Sequence, residues 1–363
     1  MSISQNQGHL IYALDDSYIH MSMAKNFAQY GIWGVDRYGF SSSSSSLLWT
    51  LLLSLIYFLF GANEITPFIL NFIFGTSLVL GIYFILKKHL SHSLSLFFIL
   101  LSIIFFTPLP SLIFSGLEHT MHAVISLFFI YLSAKILSDN KPTSLKYQLL
   151  ILAPLLTMAR FEGLFLVFVV CVLFLIRKKF VYSFLLGALA LVPIIIYGAI
   201  STTNGWFFLP NSILLKGNMP ALSINEISNF FYHFYSQLTD NYHILILLLA
   251  CLVVFFVQPN KKQAFWKLPT MMTVIYIATT ILHMLFAQSG WFFRYEAYLV
   301  ALGIFVLAIG LSEYLPKKLL FVLEIKLIPK YIATAFLILL LFLALNVRGV
   351  VSLVEIPRAT TNI

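Results

Sequence analysis

An all-α polytopic membrane protein of about ten transmembrane helices, with interfacial helices on its outer side, is the fold class predicted by three observations. Apolar types make up 60% of the 363 residues and charged types 10%, for a mean hydropathy of +0.95. Long apolar runs recur along the chain and call for a bilayer, although several are shorter than the roughly 20 residues of a standard span. The basic residues between those runs alternate in a way that sorts them to one side.

Ten spans are predicted, at about 66–86, 93–107, 119–137, 147–159, 163–176, 180–200, 243–258, 269–287, 297–315 and 329–347. In this arrangement fifteen of the 22 Lys and Arg fall on one face, including Lys87-Lys88, Arg177-Lys178-Lys179, Lys261-Lys262 and Lys317-Lys318. Cytoplasmic loops carry such an excess, so that face is read as cytoplasmic and both termini as outside. The apolar run Leu47–Phe60 is about 14 residues long, too short for a full span, and counting it would reverse every later loop. It is read as a re-entrant or interfacial helix. The Ser41–Ser46 run before it suits either a low-complexity linker or a hydroxyl-rich loop at the lipid–water boundary. The chain is taken as a single domain, 1–363. Its outer face holds the segment 1–61, a large loop at 201–242 and the short turn 288–295. Trp33, Trp49, Trp206 and Trp291 lie in these pieces, as interfacial tryptophans would.

Composition removes several function classes. The net charge of +9 comes without a basic cluster interleaved with stacking aromatics, which argues against nucleic acid. Cys171 and Cys251 both sit in apolar runs and form neither a disulfide framework nor a C-x-x-C site. Residues 1–12 carry no apolar core of a signal peptide. No Walker loop, H-E-x-x-H, G-x-S-x-G or dinucleotide fingerprint occurs.

The acidic pair Asp15-Asp16 is the foremost candidate site. Carboxylates are costly beside hydrocarbon, and two together can divide general-base and cation-binding work. A solvated pair at a helix start is the plain alternative. Tyr18 and His20 follow, and in a helix Asp16 and His20 share a face. His20 facing solvent or capping is the competing reading. Glu118-His119 opens a span after Ser115-Gly116, where the helix dipole alone favours an acid. Glu118 with His122, one turn later, makes a weak metal pattern that lacks a third ligand. Arg160 and Glu162 interrupt the apolar run 149–176 and either mark a hairpin tip or serve a site. Lys216, the only Lys or Arg between Lys179 and Lys261, and Arg294, flanked by aromatics, are candidate phosphate ligands. Snorkelling or aromatic-stacked anchoring accounts for either cation equally.

Leu14-Asp15-Asp16-Ser17-Tyr18-Ile19, then Ala24-Lys25-Asn26-Phe27, a Gly-bearing turn and a Ser-rich run into Leu48-Trp49-Thr50 resemble the GT-C superfamily of integral-membrane glycosyltransferases. The likeness is to polyprenyl-phosphate-dependent members: protein mannosyltransferase-like proteins, aminoarabinose transferases and terminal arabinofuranosyltransferases. Ser115-Gly116-Leu117-Glu118, Arg160-Phe161-Glu162-Gly163, Pro210-Asn211-Ser212 with Lys216, and Arg294 follow in the family's order. The resemblance implies an inner-membrane enzyme with an extracytoplasmic active site. It would transfer a hexosyl or pentosyl group, with inversion, from a polyprenyl phosphate to a cell-envelope glycan or lipid. Asp15 or Asp16 would be the acceptor's general base. Arg160, Lys216 and Arg294 would bind the donor phosphate; Glu118, His119, Glu162, His20 and Tyr18 remain further site candidates. A divalent metal on Asp15 and Asp16 stays open, because relatives differ on it. The family normally has a transmembrane helix ahead of the acidic motif, whereas fourteen residues precede Asp15 here. A transporter or lipid flippase is the rival class, and a shortened, inactive relative is the third reading.

Overall fold

Helices form where the apolar runs and their caps require them. The computed structural model describes residues 6–90, 93–139, 145–216, 224–257 and 265–314, whose regular elements are all helices, with no strand among them. Helix α1, Asp15–Tyr30, starts with two acids in its first turn, where the dipole favours negative charge. It ends at Gly31, whose left-handed φ of 69° lets its N–H reach the Phe27 carbonyl at 3.0 Å. Helix α2, Leu47–Phe60, is capped by Ser46, whose hydroxyl accepts from the Trp49 N–H at 3.2 Å. Then come α3 (Thr66–Leu86), α4 (Ser93–Phe106), α5 (Leu109–Phe114), α6 (His119–Ser138), α7 (Leu145–Ala159), α8 (Gly163–Ile176) and α9 (Phe180–Thr203). The rest are α10 (Asn211–Lys216), α11 (Ile224–Asp240), α12 (Tyr242–Val257), α13 (Leu268–Phe286) and α14 (Ala297–Tyr314).

Every expected span up to 297–315 coincides with a helix, within a few residues. Span 329–347 lies outside the described residues. Four helices, α3, α6, α9 and α13, are long and apolar enough to cross a membrane. The pair α11–α12, bent by 92° at its break, makes up to five. Helices α2, α4, α7, α8 and α14 are shorter apolar helices. Side chains such as Phe72, Phe84, Phe97, Phe184, Ile196 and Phe256 point out of the bundle, more than 45% exposed, as a lipid-facing surface demands. These features make the chain a membrane protein.

Lipid tails are as apolar as leucine, so association inside a bilayer rests on close packing and polar contacts between helices. Helix α6 is central: it packs on α3, α7, α13 and α14 and is buried along most of its length. Thr120 on it hydrogen-bonds Asn71 of α3. Thr157 of α7 donates to the Ala190 carbonyl of α9 at 2.8 Å. Pro154 and Pro193 lie inside α7 and α9, where neighbouring helices support the broken ladder.

The structure corrects three expectations. Trp49 is fully buried in the helix packing, not at an interface, and α2 sets Trp49, Leu53 and Tyr57 inward while Phe58 and Phe60 stay exposed. The serine run is not a low-complexity linker but packs into the fold. Ser42, Ser44 and Ser46 are buried, alternating as an extended chain does. Ser42 bonds the Tyr197 hydroxyl at 3.0 Å, and its carbonyl accepts from the Asn211 N–H at 3.0 Å. Ser44 bonds Thr50 at 3.0 Å. Ser44 Oγ also donates to the Ser46 carbonyl at 2.9 Å, so the run pairs buried backbone that has no helix to satisfy it. The segment 201–242, expected to be an outer loop, contains two helices, α10 and α11, in its described parts.

Candidate functional site

The helix starts and turns at one end of the bundle surround a cavity of about 650 Å³. Its polar wall is Asp16, Ser45, Glu118, His119, Arg160, Glu162, Gln288 and Arg294. Its apolar wall includes Leu164, Phe165, Leu191, Ile194, Ile213 and Phe286.

Glu118 ends the turn that begins at Gly116. Gly116 has φ of 69°, and a Cβ there would stand 2.7 Å from the Tyr12 ring. That close approach lets the N-terminal segment seat beneath the start of α6. Arg160 and Glu162 occupy the tight α7–α8 turn, which Gly163 closes by its N–H to the Arg160 carbonyl at 3.0 Å. Arg160 is 6% exposed and lies between two carboxylates: Nη1 is 2.5 Å from Glu118 Oε1 and Nη2 is 2.5 Å from Glu162 Oε1. Burial alone would push the Glu162 carboxyl up, but the charge and hydrogen bond of Arg160 outweigh it and hold the group at about 2. Burial likewise opposes the Arg160 cation, and Glu162 and Glu118 reverse that, leaving its pKa above the ordinary value.

Arg294 reaches the cavity by an unusual backbone. Trp291, Phe292 and Phe293 all have positive φ, at 44°, 59° and 58°. For L-residues each such position costs roughly 1–2 kcal/mol. Strain of this kind collects where a side chain must be aimed. The turn is held by Gly290 N–H, which donates to Glu296 Oε2 at 2.8 Å. Arg294 is 3% exposed, and its Nη2 donates to Asp16 Oδ2 at 2.6 Å and to the Tyr295 hydroxyl at 2.9 Å. Its Nε and Nη1 have no hydrogen-bond partner among the described residues. Tyr295 lies between both cations, with its ring centre 5.3 Å from the Arg160 guanidinium carbon and 4.8 Å from that of Arg294. His119 meets the same ring edge-on at 5.9 Å.

Asp16, Glu118, His119, Arg160, Glu162 and Arg294, all expected from sequence, therefore share one cavity. Asp15 does not line it. That residue is exposed, and its Oδ1 accepts from the Asp16 N–H at 2.9 Å. His20 is buried, contrary to the solvent-facing reading: Nδ1 is 2.8 Å from the Thr50 hydroxyl, Nε2 is 3.2 Å from Ser45 Oγ, and Glu118 Oε2 is 3.7 Å away. Thus Asp16 and His20 act on different layers, and His20 backs Glu118 from behind. Tyr18 is 41% exposed, and its hydroxyl accepts from the Tyr12 N–H at 2.9 Å, which anchors the N-terminal segment. Lys216 ends α10, whose Ser212, Ile213 and Leu214 line the cavity. His122 turns from Glu118 to the Tyr298 ring, 4.5 Å between centres. Sequence reading missed Tyr295 and Ser45; the aromatic flanks of Arg294 were the one available signal for the former.

The donor set does not suit a metal. Asp15 turns to its own helix start, Asp16 takes Arg294, and Glu118 takes Arg160. Among the described residues no group of three or more His, Cys, Asp and Glu side chains could hold an ion. No family model, curated protein or solved structure matches the chain.

Proposed function

We propose that the chain is an inverting membrane glycosyltransferase of about ten spans. It moves a sugar from a polyprenyl-phosphate donor to a cell-envelope glycan or lipid on the extracytoplasmic side of the plasma membrane. The observation that carries this reading is the Asp16–Arg294 pair, 278 residues apart in sequence, at the edge of a cavity with one ionic and one apolar wall. A carboxylate, a guanidinium with N–H groups to spare and an apolar wall are the parts that base, phosphate and prenyl chain require.

The reaction is a single displacement at the anomeric carbon. The acceptor oxygen forms its bond to that carbon and gives its proton to Asp16 Oδ2. The bond from carbon to the donor's phosphate oxygen breaks, and the phosphate leaves with the electron pair. Arg294 meets the charge that grows on it. In the resting pair Arg294 occupies Asp16. A donor phosphate competes for the same guanidinium and so frees the carboxylate to act as base. Arg160 is already matched by two carboxylates, so its part is to position Glu118 and Glu162 rather than to bind phosphate. Asp15 steadies the start of α1 and acts through Asp16.

The test uses the purified chain in nanodiscs with a panel of undecaprenyl-phosphate sugars and an envelope-lipid acceptor extract, following release of undecaprenyl phosphate. Asp16→Asn should lower turnover by about 10²–10⁴-fold, the range of general-base catalysis. Arg294→Gln should lower it by about 10²–10³-fold, as for loss of one charge-stabilising donor. Full turnover in Asp16→Asn and in the Asp15→Asn/Asp16→Asn double variant sinks the mechanism.

A further inference from the structure

The other end of the bundle carries a second cavity, of about 540 Å³, lined by His89, Ser138, Arg177, Trp266, Lys267, Leu268, Pro269 and Glu313. Four helices join the two cavities. Helix α6 starts beside Glu118 and His119 and ends at Ser138. Helix α8 starts after Glu162 and ends before Arg177. Helix α13 starts after Lys267 and ends at Phe286, and α14 starts after Tyr295 and reaches Glu313. Helix α6 has 20 residues, a rise of about 30 Å, so the cavities stand about one hydrocarbon thickness apart. The second cavity therefore belongs at the opposite membrane surface.

Its wall is built for an anion against an apolar floor. Arg177 lies over the Trp266 ring, its guanidinium carbon 4.0 Å from the ring centre, and Nη2 donates to the Leu137 carbonyl at 2.6 Å. Stacking and that bond fix the orientation of its planar fork, the arrangement that suits phosphate. Burial pushes the Arg177 guanidinium down from its ordinary value, a cost that a bound anion would offset. Lys267 stands exposed at the rim, at the N-cap of α13, whose first turn has no acid and no side-chain cap. Glu313 cancels one of the two fixed positive charges, and His89 adds a ring donor or acceptor. Leu268, Pro269 and the Trp266 face supply the apolar side.

We propose that this cavity is a phosphate-anion site at the membrane surface remote from the Asp16 cavity, with Arg177 and Lys267 as its cationic ligands and Trp266 as its platform. The ligand class is a phosphate-bearing anion, either an anionic phospholipid headgroup or free phosphate. The apolar floor beside the fork favours the lipid. The site does not depend on the glycosyltransferase reading.

The test titrates the purified full chain in dodecyl maltoside with dioctanoyl phosphatidylglycerol, dioctanoyl phosphatidylcholine or inorganic phosphate, following thermal unfolding. Phosphatidylglycerol should stabilise the wild type. Lys267→Gln, an exposed substitution that leaves the fold alone, should weaken its apparent affinity about tenfold, the loss expected for one charge-assisted contact. Arg177→Gln should weaken it further, and Glu313→Gln, which removes the competing carboxylate, should tighten it. If inorganic phosphate gives the same shift with the same variant order, the ligand is free phosphate. If phosphatidylcholine acts as well as phosphatidylglycerol, or if wild type and Lys267→Gln respond alike to both anions, the site is refuted.

Discussion

Removing the Arg160 guanidinium while keeping its bulk, as in Arg160→Met, should be among the most damaging single changes in this protein. Arg160 answers two carboxylates at once, each at 2.5 Å. The side chain of Glu118 is 1% exposed and that of Glu162 is 20% exposed. Without the cation, Glu118 would have to remain charged in a dry site beside a membrane or take up a proton. Breaking a buried pair from one side costs about 3–5 kcal/mol, because a desolvated charge is left behind. In thermal unfolding followed by tryptophan fluorescence this corresponds to a loss on the order of 5–10 °C. Adding Glu118→Gln to the same chain removes the stranded charge and should recover about 1–3 kcal/mol, the range of coupling between residues in one network. The reasoning fails if Arg160→Met unfolds within about 2 °C of the wild type, or if the double variant is no more stable than the single one.

Three further outcomes follow from the same geometry. The folded Glu162 carboxyl titrates at about 2, below its ordinary 4.5, so its stabilisation is complete above the ordinary value and is lost as pH falls towards 2. Melting temperature against pH should decline through that window, and Glu162→Gln should flatten the decline; an unchanged slope in the variant would refute the assignment. Gly116→Ala forces a Cβ to 2.7 Å from the Tyr12 ring at a left-handed φ. It should cost about 1–3 kcal/mol, read as a lowered melting temperature, and Tyr12→Leu in the same chain should relieve part of it. His20→Ala leaves the Thr50 and Ser45 hydroxyls and the back of Glu118 without their buried partner, so it should destabilise by about 1–3 kcal/mol, whereas an exposed His20 would make the change neutral in the same melting assay.

Much of the scaffold was legible in the chain. The apolar runs set where helices form, because a backbone in lipid must satisfy its own hydrogen bonds, and the bounds of α3, α4, α6 to α9 and α12 to α14 followed within a few residues, whereas the short α5 and the helices α10 and α11 of the 201–242 segment did not. The charged residues of the site were legible for a related reason. Asp16, Glu118, Arg160, Glu162 and Arg294 interrupt apolar sequence at a desolvation cost that calls for a role. Composition could not say which acid of Asp15-Asp16 turns inward, because adjacent helical side chains diverge by about 100° and the direction of α1 is set by its packing on α2. Nor could it read the serine run, whose hydroxyls look like surface until the neighbours they satisfy are known.

The sequence by itself determined that this is a helical membrane protein with acidic and basic residues kept at helix ends, since hydropathy and charge cost are properties of single segments. Only the tertiary structure decided the pairing. Asp16 meets Arg294 across 278 residues, and Arg160 lies between Glu118 and Glu162. Arg177 rests on Trp266 at the far end of the same helices. Such contacts depend on how helices cross and on a left-handed turn at 291–293, which no segment specifies alone.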